Sequence, residues 1–205
     1  MEPEALEAAD LMARYCRGEV AAFHRLYGLL APRVLAYLAG LLLGDRAAAE
    51  DVLQQAFLKV HEARSTYVLG ANPIPWIYTI AHRTCLDELR RRKRTRVKLT
   101  KDGDLTSVPA ADLGGAAETA TEGGGDGEAL AAAMAALDHL PPNQREALLL
   151  TKVHGRSHAE AAMITGTTPG AIKLRAHRAY VTLRQMLGAK RDAAAPGPEK
   201  KVARP

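Results

Sequence analysis

Ser157-His158-Ala159-Glu160-Ala161-Ala162-Met163-Ile164-Thr165-Gly166-Thr167-Thr168-Pro169-Gly170-Ala171-Ile172-Lys173-Leu174-Arg175 reads as two short helices and the turn between them. Ser157 and Glu160 stand at capping-box spacing: the serine hydroxyl accepts the amide of the third helical residue and the glutamate reaches back. The predicted first helix carries Ala161, Ala162 and Ile164 on its apolar side, and Gly166 takes the positive φ that ends it. Thr168 caps a second helix with Pro169 at its first position, where a missing N–H costs nothing. Ile172, Ala176, Ala179, Leu183 and Leu187 follow at four- and three-residue steps and predict its buried side. Two helices joined by a short Gly-containing turn, the second basic near its start, describe a helix-turn-helix. Lys173, Arg175, His177 and Arg178 are left to face a DNA groove or its phosphates.

Working outward, the composition agrees with helices. Hydrophobic residues make up 47% of the 205-residue chain but aromatics only 4%, and Ala and Leu dominate, which suits an all-α protein. The formal net charge is +5, compatible with a polyanionic partner. Two basic stretches carry it, one from Arg83 to Lys98 and one from Lys173 to Arg191. Two cysteines, Cys16 and Cys85, are too few for a disulfide framework or a metal cage. No run approaches the ~20 apolar residues of a membrane span, so a cytoplasmic protein without membrane insertion is expected.

Four segments are predicted: a helical unit over 5–98, a flexible acidic linker over 99–127, a second helical unit over 128–188 and a disordered tail over 189–205. In the first unit, Phe23, Leu26, Tyr27 and Leu30 form a stripe that Val34, Leu38, Leu41 and Leu42 continue beyond Pro32. Asp45 is an N-cap for a helix from about 46 to 65. Ala49, Leu53, Ala56 and Val60 form its inward stripe; Asp51, Gln54, Gln55 and Leu58 fall on the other side. Gly70, Pro73 and Pro75 break the pattern. A further helix is predicted from about Pro75 to near Lys98, with Ile77, Ala81, Cys85 and Leu89 inside and Thr79, His82, Arg83, Asp87 and Arg90 outside. Basic and aromatic side chains beside a Pro/Gly loop suit melted or single-stranded nucleic acid.

The runs Ala49-Glu50-Asp51-Val52-Leu53-Gln54-Gln55-Ala56-Phe57, Trp76-Ile77-Tyr78-Thr79-Ile80-Ala81 and Asp87-Glu88-Leu89-Arg90-Arg91-Arg92 resemble, in order and spacing, region 2 of an extracytoplasmic-function (ECF) RNA polymerase sigma factor. Leu140-Pro141-Pro142-Asn143-Gln144-Arg145-Glu146-Ala147 and the helix-turn-helix after it resemble region 4. The resemblance covers about residues 10–98 and 128–188. It implies an alternative sigma factor, with no enzymatic activity or cofactor of its own. Implied partners are core RNA polymerase (clamp helices and flap), promoter DNA and an anti-sigma factor. Asp51, Gln54, Gln55 and Leu58 would dock on the clamp helices. Tyr67, Asn72, Trp76, Thr79, His82, Arg83, Arg90 and Arg91 would open the −10 element and trap an extruded base. Thr168, Lys173, Leu174, Arg175, His177 and Arg178 would read the −35 element. The chain departs from the family pattern: Ala161, Thr165 and Thr167 stand where larger apolar residues are usual. His82-Arg83 stands where Arg-Asn is usual, and Leu174 replaces a polar residue with one suited to a thymine methyl or to packing.

Other readings compete. A stand-alone helix-turn-helix regulator would use the N-terminal bundle for dimerisation or effector sensing, and a decoy would bind polymerase or an anti-sigma factor without using promoters. A zinc pair of His154 and His158 is disfavoured because Gly155 and the Ser157 cap place a turn between them. Cys85 reads as a buried structural thiol, and no phosphate-cradling loop, nucleophile elbow or pair of catalytic acids is present. Asp102, Asp104, Asp112, Glu118, Glu122, Asp126 and Glu128 lie in a stretch without Lys or Arg. Such a strand is expected to compete with DNA for the basic faces of the free chain.

Overall fold

A computed structural model describes residues 3–101 and 135–194. All regular structure among them is helical. Helix α1 (Pro3–Cys16) has Glu4 in its first turn and Arg14 in its last, each placed to favour the helix dipole. Helix α2 (Val20–Leu41) runs unbroken through Pro32. That proline and Gly28, whose carbonyl loses its helical partner, both lie on the exposed side.

Helix α3 (Arg46–Glu62) starts where Asp45 Oδ1 accepts the Ala48 amide at 3.0 Å. It ends earlier than the sequence pattern implied. A tighter turn, Ala63–Thr66, replaces its last part, because Arg64 donates to the His61 carbonyl at 2.8 Å and Thr66 to that of Ala63 at 2.7 Å. The expected inward residues Ala49, Leu53, Ala56 and Val60 are buried, and so are Val52 and Phe57. The stripe is wider than expected because α3 packs between α2 and α4. Phe57 meets Tyr27 edge-on at 4.7 Å.

Helix α4 (Pro73–Lys101) begins two residues before the expected start. Asn72 Oδ1 accepts the Ile74 amide at 3.0 Å, so the cap sits ahead of both prolines, and Pro75 falls in a first turn that needs no amide. Its 29 residues span ~44 Å, longer than the bundle can cover. Leu89, expected inside, is exposed. His82, expected outside, is buried at 3% exposure.

The second unit opens with a helical turn at 135–138. Helix α5 (Pro142–Leu148) follows and widens into the turn Leu149–Val153. Buried Arg145 ties these pieces together, donating to the carbonyls of Leu137 (2.8 Å), Asp138 (3.0 Å) and Leu140 (3.2 Å). They lie at a short helical end, where the last carbonyls lack a full set of intrahelical partners. Helix α6 (His158–Thr165) has the expected capping box and ends on Gly166 at φ +68°. Thr168 Oγ1 accepts the Ala171 amide at 3.2 Å at the start of α7 (Pro169–Ala194). Ile172, Ala176 and Ala179 are buried as expected and Leu183 partly so. Leu187's surroundings, the acidic stretch 102–127, residues 128–134 and the tail from 195 lie outside what is described.

The expectation of two helical units did not anticipate that they pack on each other. One buried cluster runs from α1–α4 into Ala147, Leu149, Leu150 and the α6 residues Ala161, Ala162 and Ile164. Gly40 marks the closest approach: a Cβ there would lie 2.9 Å from a methyl of Leu149.

Candidate nucleic-acid interface

Three surfaces carry the residues singled out by sequence. On α3, Asp51, Gln54, Gln55 and Leu58 are all exposed, opposite the buried stripe. Leu58 is 64% exposed, an apolar side chain in water with no packing role. A polar face with one large aliphatic residue suits a protein partner better than DNA phosphates.

The second surface is α4 with the loop before it. Trp76 is half-buried and packs against Tyr67, the rings tilted at 54° with centroids 5.5 Å apart. Tyr67 is buried, with its hydroxyl donating to the Ala71 carbonyl. Tyr67 therefore braces the loop and Trp76 rather than presenting its own ring. Burial raises its pKa. Asn72 is committed through its side chain to the α4 cap, and the Thr79 hydroxyl donates to the Pro75 carbonyl at 2.7 Å. The loop's exposed apolar residues are Val68 (72%) and Leu69 (60%), which the sequence reading did not single out. Their signal was apolar character in a stretch punctuated by Gly and Pro.

His82 does not join this surface. Its Nδ1 lies 3.0 Å from the buried Tyr37 hydroxyl, and its Nε2 lies 2.8 Å from Glu146 Oε1 across the seam between the units. Arg83 beside it is exposed. Farther along, the basic run meets acids of the same unit. Arg90 pairs with Asp87 at 3.0 Å, and Arg91 holds both oxygens of Glu88 at 2.8 and 2.9 Å. Arg92 bridges Glu88 (2.8 Å) and the α3 cap residue Asp45 (2.9 Å). Arg91 and then Arg92 hold the Glu88 carboxyl below its ordinary pKa; for Asp45 the Ala48 amide acts first, then Arg92.

The third surface is the start of α7. Lys173, Leu174, His177 and Arg178 are exposed along one side and Arg175 is half-buried, while Thr168 is occupied in capping. The opposite side packs on α5 and α6. A capped, basic helix start held on two supporting helices can lie in a major groove. No grouping of three or more His, Cys, Asp or Glu suited to a metal occurs among the described residues, and no helix there is long and apolar enough to cross a membrane.

The family models for Sigma-70 region 2 and Sigma-70, region 4 match residues 26–95 and 130–183, together more than half of the chain. The chain is 37% identical to the RNA polymerase sigma factor CarQ of Myxococcus xanthus, over 86% of this chain and 95% of that protein. The chain belongs to the ECF family of RNA polymerase sigma factors. The ECF sigma factor SigM of Mycobacterium tuberculosis is 32% identical over 88% of this chain and 84% of its own. Among solved structures, the sigma factor RpoE in complex with the anti-sigma factor NepR from Bartonella quintana matches with a TM-score of 0.63 and 28% identity, covering 81% of this chain and 96% of that one. CnrH in complex with the cytosolic domain of CnrY has the same TM-score at 20% identity over 92% and 99%, which bears on the fold alone. The protein is thus an alternative sigma factor that joins core RNA polymerase to direct promoter-specific transcription. Region 2 of this sigma factor falls on α2–α4 and region 4 on α5–α7.

Proposed function

We propose that this sigma factor, which performs no chemistry itself, divides its work among the three surfaces. The outer side of α3 docks on the clamp helices of core polymerase through Asp51, Gln54, Gln55 and Leu58. The loop before α4 and the outward side of α4, with Val68, Leu69, Trp76, Thr79, Arg83, Arg90 and Arg91, opens the −10 element and holds an extruded base by stacking and phosphate contact. The start of α7 reads the −35 element in the major groove: Lys173 and Arg178 contact phosphates, Arg175 and His177 reach base edges, and Leu174 meets a thymine methyl. Likeness to RpoE, solved with NepR, adds an anti-sigma factor to the partners.

The observation that carries this division is the freedom of α3's outer side. Its four residues are exposed while every inward position of the same helix is buried, so they have no duty in the fold. Asp51→Ala with Leu58→Ala is expected to weaken binding to purified core polymerase roughly tenfold or more. Stability should stay within about 0.5 kcal/mol of wild type. A large fall in melting temperature with core affinity intact would reverse the assignment.

A further inference from the structure

An open cleft of about 310 Å³ is lined by Ala5 of α1, by Asn72 and Ile74 where α4 begins, and by Arg156, Ser157 and Glu160 where α6 begins. That volume is at the small end of the ~300–1,000 Å³ that holds an organic ligand. Arg156 is the anomaly in its wall. The residue is 8% exposed, and its Nε donates to the His154 carbonyl at 3.0 Å. No Asp or Glu among the described residues pairs with the rest of its guanidinium. A buried cation without a carboxylate is costly. Arg33, the other guanidinium of this corner, is paired with Glu4.

Two further polar groups stand behind Arg156. Its guanidinium lies 5.8 Å from the Tyr78 ring centroid, and the His154 ring lies 6.0 Å from the same centroid. Tyr78 Oη and His154 Nε2 are both buried without a hydrogen-bond partner, a state that few buried polar groups are left in. Tyr78 follows Ile74 by one helical turn, and helical side chains lean toward the N-terminus, so its hydroxyl points back toward the wall that Ile74 forms. The charges of Arg156, Arg33 and Glu4 all act on that hydroxyl, as they would across the back of the cleft. Burial, followed by Arg33 and Arg156, lowers the His154 pKa to about 4. Its ring is therefore neutral at pH 7 and can donate through Nε2.

We propose that this cleft binds a small aliphatic organic acid, with the carboxylate on the Arg156 guanidinium and the hydrocarbon end against Ala5 and Ile74. One carboxylate charge matches the one cation left unpaired. A phosphate dianion would leave an excess negative charge facing Glu160, which lines the same cleft. The planar fork of a guanidinium suits a carboxylate, and Tyr78 and His154 supply two donors that the folded chain leaves unused. Glu160 weakens the site without cancelling it, because its Oε2 accepts from the Ser157 amide and hydroxyl, each at 2.9 Å, in the α6 cap.

Saturation-transfer NMR on the full-length free chain at pH 7, with acetate, butyrate and hexanoate as probes, tests the site. Hexanoate should bind tightest, with affinity falling roughly threefold for each methylene removed. Arg156→Met keeps the length of the side chain and removes its charge, and should weaken hexanoate binding about tenfold or more. Glu160→Gln retains a residue that the capping box accepts and removes the repulsion, so it should bind hexanoate roughly two- to fivefold more tightly. This second variant keeps the test decisive should Arg156→Met disturb the fold. Absence of transfer to all three acids, equal affinity for them, or wild-type affinity in either variant would overturn the site and leave water as the partner of Tyr78 and His154. Inorganic phosphate that displaces hexanoate more effectively than butyrate does would overturn the carboxylate assignment.

Discussion

Helices α4 and α7 carry comparable runs of Arg and Lys, yet their charges are spent differently. Along α4, Arg90, Arg91 and Arg92 are each bound to an acid of the same unit. From Pro169 to Arg191, α7 contains no acidic residue, and Lys173, His177 and Arg178 project from its exposed side. Counting cations would rank the two helices alike as DNA-binding faces. Their neighbours instead make α4's run partly a structural tie between α3 and α4, and leave α7's charge available for a polyanion.

The largest effect that could break this comparison is on duplex binding. Lys173→Ala with Arg178→Ala, tested in complex with core polymerase on a −35-dependent promoter fragment, should reduce affinity roughly tenfold or more. The slope of log affinity against log salt should fall by about two, one for each phosphate contact. A variant with the wild-type slope would place α7's cations outside the DNA path and erase the distinction from α4.

Where the sequence was legible follows the same division between local and distant causes. The capping box, the Gly166 turn and the Thr168 cap were readable because each involves residues within four positions of one another. The inward stripe of α3 was readable from its period, though not Val52 and Phe57, whose burial depends on packing against two other helices. His82 was placed on the wrong side because Glu146, in another unit, decides its surroundings. Leu89 obeyed the helical period yet is exposed, while Glu88 and Arg92 take the side that faces α3. Of the −10 residues, Tyr67 and Asn72 have partners inside their own loop and cap. A motif match cannot separate such bracing from contact with DNA.

A second, smaller effect concerns Arg92, which bridges Glu88 and Asp45 from a half-exposed position. Arg92→Ala should cost about 1 kcal/mol of stability at neutral pH, more than an ordinary exposed pair because it joins two helices. Both partner carboxyls are held below their ordinary values of 4.5 and 3.8. Their contribution is therefore full above that range and is lost as pH falls through the lowered values. Chemical denaturation of wild type and variant should show a gap at neutral pH that narrows below about pH 4. A gap that is constant with pH would mean that Arg92 stabilises through its aliphatic stem and not through the two acids.

The smallest effect is a gain. If α4 is weaker than α7 toward nucleic acid because its cations are already engaged, releasing one should strengthen it. Glu88 is the residue to change, since it holds Arg91 through two hydrogen bonds and Arg92 through a third. Glu88→Gln removes the charge while keeping the shape and one acceptor, so the guanidinium of Arg91 is freed at modest cost to the helix. An exposed pair of this kind contributes ~0.2–1 kcal/mol. Single-stranded DNA should then bind the Glu88→Gln chain roughly two- to fivefold more tightly at low salt, when measured well below its melting temperature. Adding Arg91→Ala to Glu88→Gln isolates the contribution of Arg91. Unchanged affinity in the double variant relative to Glu88→Gln alone would show that Arg91 does not meet the strand. The end of α4 would then be a brace for α3, with the −10 contact confined to the loop, Trp76, Thr79 and Arg83.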